Sequence, residues 1–224
     1  MALDSPFGFV EFMDDFNRNV IGTLDWTINQ ANSATNFAIN AQVNGVIRGT
    51  VTSNSRNDYA IVYGPFIHRP DQGGPLKFEA RVAVITSLSV SVFVGMTDAN
   101  TVEISLQYNN ASFSSTATDA FGFYWGASGT SWRCGGVAND VDSVQTTSPA
   151  RMIPVLAAFQ TLSGEINGNG AGTFRIDGET VAELIAGCGT ATVLLGRQVS
   201  IRDDGAAGSI DVDYFHVRAA RYNN

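Results

Sequence analysis

The stretch LKFEARVAV, residues 76–84, decides the fold. Leu76, Phe78, Ala80, Val82 and Val84 fall on one side of an extended chain, and Lys77, Glu79 and Arg81 on the other. Apolar residues at a spacing of two mark a β-strand with one face in a core. The period continues outward. In LSVSVFVGM, residues 88–96, Leu88, Val90, Val92, Val94 and Met96 line up. In TVEISLQY, residues 101–108, Val102, Ile104, Leu106 and Tyr108 oppose Thr101, Glu103, Ser105 and Gln107. Short turns separate the three segments, so the spacing predicts an antiparallel meander.

Similar segments fill the rest of the chain: FAINAQV (37–43), GVIRGTV (45–51), YAIVYGPFI (59–67), FGFYW (121–125), TFRIDGETV (173–181), ATVLLGRQVSI (191–201) and GSIDVDYFHVRAAR (208–221). Asp177-Gly178 has the chemistry of a two-residue hairpin turn. About a dozen short strands with turn clusters between them predict an all-β, antiparallel sandwich of jelly-roll type. Only ETVAELIAG, residues 179–187, reads as a short helix. In the last segment Ile210 and Val212 carry the apolar side, and Phe215 and Val217 carry it in the opposite parity. A β-bulge near Asp213–Tyr214 restores consistency, and Asp211 and Asp213 are then expected to face solvent.

Composition narrows the function. The 224 residues suit one sandwich with a full core. The net charge is −8 and the 13 Lys and Arg are scattered, which argues against nucleic acid and against an anionic membrane surface. The opening MALDSPFGFVEFMDDF lacks the basic start of a signal peptide, and no run is long enough to span a membrane. Cys134 and Cys188 are expected to be reduced and buried. His68 and His216 stand apart from any Cys/His cluster, no Gly-x-Ser-x-Gly elbow occurs, and no Asp-rich calcium loop is present. GEINGNGAG, residues 164–172, joins strands and opens no helix, so it is not read as a phosphate cradle. No cofactor or metal ligand set is therefore predicted. The residues best placed to stack on a sugar are Tyr124, Trp125 and Trp132, around the turn GASGTS.

The order of markers is informative: Asp14-Asp15-Phe16, Trp26, NGVIRGTVTS, LKFEARVAV, GTFRIDGETVAEL and IDVDYFHVRAAR. It resembles the concanavalin A-like lectin/glucanase jelly roll of laminin-G-like modules and glucanases, and is most similar to tailed-phage virion structural proteins with that fold. The resemblance spans nearly all the chain beyond the first dozen residues. Glucanases of this fold carry Glu-x-Asp-x-x-Glu, or a form one residue shorter, on a strand of the concave face. TVEISLQY takes that place here. It keeps Glu103 but has Ser105 and Gln107 or Tyr108 where the other two acids belong. One carboxylate cannot serve as both acid and nucleophile.

These residues lead to the expectation of a non-enzymatic virion protein without catalytic residues, a decoration (cement) protein on a phage capsid made in the host cytoplasm. Its partners would be the major capsid protein or another virion protein, and its form a homotrimer. A carbohydrate-binding module that takes surface glycans is the alternative, and a glycoside hydrolase the third reading. Residues 1–12, with Leu3, Phe7, Phe9 and Phe12, are expected to form an arm for assembly, and residues 13–224 the single domain.

Overall fold

A computed structural model describes residues 3–4, 9–17, 20–31, 35–40, 45–52, 58–71, 74–86, 89–100, 104–109, 112–126, 131–144 and 153–220. Every element named there is a β-strand, and every pairing is antiparallel. One sheet runs in the order β1 (Leu3–Asp4), β2 (Phe9–Asp14), β18 (Gly208–Ala220), β7 (Leu76–Val84), β14 (Gln160–Ile166), β15 (Gly172–Ile176) and β16 (Glu179–Leu184). Beside β2 on the same edge of β18 lies β5 (Val46–Val51), itself paired to β4 (Asn36–Asn40). The second sheet has the order β13 (Val141–Val144), β12 (Arg133–Ala138), β11 (Ala120–Trp125), β8 (Val90–Thr97), β17 (Gly196–Asp203), β6 (Tyr59–Tyr63) and β3 (Thr27–Gln30). A separate hairpin of β9 (Leu106–Asn109) and β10 (Ser112–Ser115) completes the set.

The two sheets meet through their apolar faces. Phe78 on β7 lies 5.5 Å from Phe121 on β11, and Phe123 lies 5.7 Å from Phe174 on β15. The alternation in residues 76–84 is realised, with Leu76, Phe78, Ala80, Val82 and Val84 in the core. The meander is not. β7 pairs with β14 and β18, whereas β8 belongs to the opposite sheet and pairs with β11 and β17. Two strands whose apolar faces meet across a core carry the same sequence signature as two paired side by side, so alternation cannot separate a hairpin from an arch.

β8 also departs from the one-wet-face expectation, since all eight residues are buried. Val90, Val92, Val94 and Met96 enter the main core, while Phe93 joins a second cluster with Ile104, Leu106, Tyr124 and Val137 beneath the β9–β10 hairpin. Gly95 and Gly122 are register partners there, and the Phe93 ring lies over both, where a methyl group on either would collide with the facing backbone.

ETVAEL is strand β16 rather than helix. Asp177 and Gly178 both have positive φ, 51° and 83°, which is the two-residue turn that fixes β16 against β15. Once that hairpin closes, the segment has a sheet edge to join, and pairing overrides its weak helical preference.

At the N-terminus β2 pairs with β18 from Phe9 to Asp14, and the Phe12 side chain is buried. The boundary set at residue 12 thus falls inside a strand of the sandwich. Leu3 belongs to β1, whose partner is β2, and Phe7 lies outside the described residues. The Asp14-Asp15-Phe16 marker has a structural meaning. Asp14 is buried and accepts hydrogen bonds from the Phe16 amide at 2.9 Å and from the Trp26 indole N–H at 3.0 Å. Trp26 packs edge-on to Phe12 and Phe215. Against these rings lies Arg197 of β17, its guanidinium 3.3 Å from the Phe12 ring centre and donating to the Asp25 carbonyl.

The bulge expected in the last strand is present, with the register against β7 shifting between Val212 and Tyr214. The expected exposure of Asp211 is not. It is 1% exposed and forms a two-pronged ion pair with Arg48 of β5, at 2.6 and 2.7 Å. Asp213, half-buried, pairs with Arg81. Parity located the bulge but was wrong about Asp211, which is buried and ion-paired. What parity could not show is that β5 runs alongside and lays Arg48 across Asp211.

Two outcomes follow for stability. Arg48→Met strands a buried carboxylate and is expected to cost about 3 kcal/mol, read as a fall in the urea midpoint, with Arg48→Met/Asp211→Leu recovering most of it. His68, 1% exposed, has neither ring nitrogen hydrogen-bonded, and burial, with Arg197 nearby, lowers its pKa to about 4. As pH falls below about 6.5 the unfolded chain takes up a proton that the folded one refuses until about pH 4. The wild type should therefore lose about 3 kcal/mol across that window that His68→Leu does not lose, and parallel stability–pH curves would count against it.

Candidate functional site

The outer faces of the two sheets differ in character. That of the second sheet is closed over β8, β11 and β12 by the β9–β10 hairpin. Phe113 lies 5.2 Å from Tyr124, and Tyr108 sits under Arg133 with 3.7 Å between guanidinium and ring centre. The motif strand of the sequence is part of this lid. Ser105, in the place of the motif aspartate, is buried and hydrogen-bonded to the Thr97 hydroxyl at 2.9 Å and to the Gln198 side-chain oxygen at 2.7 Å. Glu103 lies outside the described residues.

The three aromatic residues singled out for sugar stacking are core residues. Tyr124, Trp125 and Trp132 are each 1% exposed. Trp125 and Trp132 meet edge-to-face at 6.1 Å, and the Trp132 indole N–H donates to Gln160 at 3.0 Å. Tyr124 projects from the opposite side of β11, under the hairpin. Both faces of β11 are covered, so neither side of that strand presents a ring to solvent. Cys134 and Cys188 are free thiols in the core, and burial pushes the Cys188 thiol up to about 12 and that of Cys134 higher still.

The outer face of the first sheet is open and polar. Cross-strand register builds it row by row. His216 on β18, Glu79 on β7, Ser163 on β14 and Arg175 on β15 stand abreast, and the next row holds Arg218, Lys77, Glu165 and Thr173. All of these side chains except Thr173 line an open depression of about 330 Å³. Two carboxylates share it. Glu79 accepts a hydrogen bond from the Tyr214 hydroxyl at 2.6 Å. Burial and the neighbouring Glu79 push Tyr214 up to about 12, so it remains a donor throughout the neutral range. Glu165 lies between two cations, Lys77 Nζ at 2.8 Å and Arg175 Nη1 at 3.6 Å. Glu11 on β2 lies 2.7 Å from His216 Nε2.

Glu79 and Glu165 are diagonal neighbours, since Glu79 faces Ser163 and Glu165 is two residues further along β14. Such pairs are separated by about 7–8 Å between Cα atoms. Both side chains rise from the same face of the sheet and line the same depression. Reading the sequence strand by strand, Lys77, Glu79 and Arg81 were only the wet side of a strand. The signal that joins Glu79 to Glu165 lies in the pairing of β7 with β14 across a separation of 86 residues and is not visible locally.

No family model and no curated protein matches the chain. Solved structures do. The β-glucanase of Bacillus licheniformis superposes with a TM-score of 0.62 over 92% of this chain and 97% of its own, at 10% identity. The catalytic domain of an endo-1,3-β-glucanase (laminarinase) of Thermotoga petrophila gives 0.62 over 93% and 96%, at 11%. A structure from work on endo-acting O-glycanases of human gut bacteria gives 0.66 over 92% and 97%, at 10%. The fold is the concanavalin A-like jelly roll. These neighbours are glycan-cleaving enzymes, and they overturn the expectation of a non-enzymatic capsid decoration protein. The attribution to a phage virion finds no support in them.

The burial of the aromatic trio has a measurable consequence. Trp132→Ala should lower stability by about 3–5 kcal/mol, as loss of a packed core ring does. A shift of under 1 kcal/mol in chemical denaturation would mean that the ring lies at the surface.

Proposed function

We propose that the protein is a glycoside hydrolase acting on a polymeric glycan, with Glu79 and Glu165 as its carboxyl pair. The observation that carries this reading is the presence of both carboxylates, diagonal across β7 and β14, in one open depression. The likeness of the whole fold to glucanases supports it.

Their company divides the roles. Glu165 stands between Lys77 and Arg175, cations that favour a negative oxygen opposite the anomeric carbon or its attacking water. Glu79 has a neutral hydroxyl, that of Tyr214, as a partner. It is the group that hands its proton to the departing glycosidic oxygen. Tyr214 is a positioning residue: by donating to one Glu79 oxygen it fixes the rotamer that aims the other. The open, shallow shape suits cleavage within a chain, because both ends of a polymer can run out across the sheet.

Glu79→Gln and Glu165→Gln are expected each to lower kcat by about 10²–10⁴-fold on the polysaccharide the wild type cleaves, with unfolding midpoints unchanged. Reducing-end release would be followed on laminarin, lichenan, galactan and mucin-type glycans. Full activity in either variant, or none in the wild type on any glycan tried, would overturn the assignment.

A further inference from the structure

The open ground beside Glu79 and Glu165 does not end at β14. Glu165 also lines a second open depression, of about 310 Å³, that continues over β15 to β16. Register sets its order: Glu165 on β14 faces Thr173 on β15, which in turn faces Glu183 on β16. Glu165 and Glu183 are thus two strand spacings apart, about 9–10 Å. In the first depression the charges meet within the face, Glu165 with Lys77 and Arg175, and His216 with Glu11. Glu183 differs. It is exposed, and no hydrogen bond or ion pair reaches its carboxylate from the described residues. Asn167, in GEINGNGAG, supplies a matching donor. Its Oδ1 accepts from the amides of Asn169 and Ala171 at 3.2 and 3.0 Å, which closes the turn and fixes the side chain. The amide nitrogen is therefore the end that is left for a ligand. Ile185, 95% exposed, stands at the rim.

We infer that the second depression is a further glycan subsite, in which Asn167 and Glu183 hold an uncharged, hydroxyl-bearing unit of a polymer that runs across the strands from β7 to β16. A sugar hydroxyl both donates and accepts, so a fixed amide donor and an unmet carboxylate in one depression can each serve it. Hydrogen bonds to an ionised acceptor are the stronger kind. Ile185 gives the C–H face of a sugar ring an apolar surface to cover. The inference rests on the hydrolase reading above for the place of cleavage, though not for binding.

The test compares the wild type with Asn167→Asp, which keeps the oxygen that closes the turn and removes the donor, and with Glu183→Ala. Reducing-end release would be measured on the polysaccharide that the wild type cleaves and on the shortest oligosaccharide of it that is still cut. Each variant should raise KM on the polymer about 5-fold, the worth of one hydrogen bond, with kcat retained. KM on the short substrate, which does not reach β16, should not change. Equal KM on the polymer for all three proteins would overturn the inference and leave the hydrolase reading intact. So would a rise of the same size on both substrates, since the change would then act on the first depression. If no glycan is cleaved the hydrolase reading falls, and affinity electrophoresis in laminarin, lichenan, galactan and mucin-type glycans decides the subsite. Retardation of the wild type that both variants weaken would sustain it, and equal migration of all three would remove it.

Discussion

Strand β18 has two neighbours on one edge, and it cannot hold both in a single register. β5 pairs along Gly208–Val212 and β2 along Phe215–Ala220. The bulge at Asp213 is where one gives way to the other. An extra residue there reverses the parity of everything that follows. Ile210 and Val212 enter the core before it, Phe215 and Val217 after it, and Tyr214 and His216 are turned onto the outer face beside Glu79. A continuous strand would send Tyr214 and His216 inward and leave Phe215 and Val217 in water. Closure of the sandwich and construction of the polar depression therefore depend on the same inserted residue.

The two outer faces divide the work of the fold. Over β8 and β11 the glycines Gly95 and Gly122 give the Phe93 ring room to lie flat, and the β9–β10 hairpin seals it. The segment that resembles a catalytic strand has become part of that seal. Ser105 bonds to Thr97 and Gln198 inside it, where a carboxylate would meet a heavy desolvation cost. The opposite face is cut from alternating charges that pair across strands, Lys77 with Glu165 and Arg81 with Asp213, and it stays open to solvent.

Legibility followed the range of the interaction. The alternation of residues 76–84, the Asp177-Gly178 turn and the bulge are local, and each was readable. The Asp14-Phe16-Trp26 cluster was visible as a marker and acquired its reason only in three dimensions. Long-range facts were hidden. Whether β7 and β8 pair or face each other depends on the whole sheet order. The burial of Asp211 depends on Arg48, 163 residues away. Arg197 did leave a trace, for in GRQVSI it has the parity of Val199 and Ile201 and so points inward. A cation on the core side of a strand implies rings or carboxylates waiting for it, here Phe12, Trp26 and the Asp25 carbonyl.

Charge is distributed with the same economy of place. On β2, β5, β7, β14, β15 and β18, the outward residues Arg48, Lys77, Arg81, Arg175 and Arg218 balance Glu11, Glu79, Glu165, Asp211 and Asp213. The net −8 of the chain is therefore carried elsewhere on the molecule. The face on which these charges meet one another in pairs is the one on which the bulge of β18 has set Tyr214 and His216 beside Glu79.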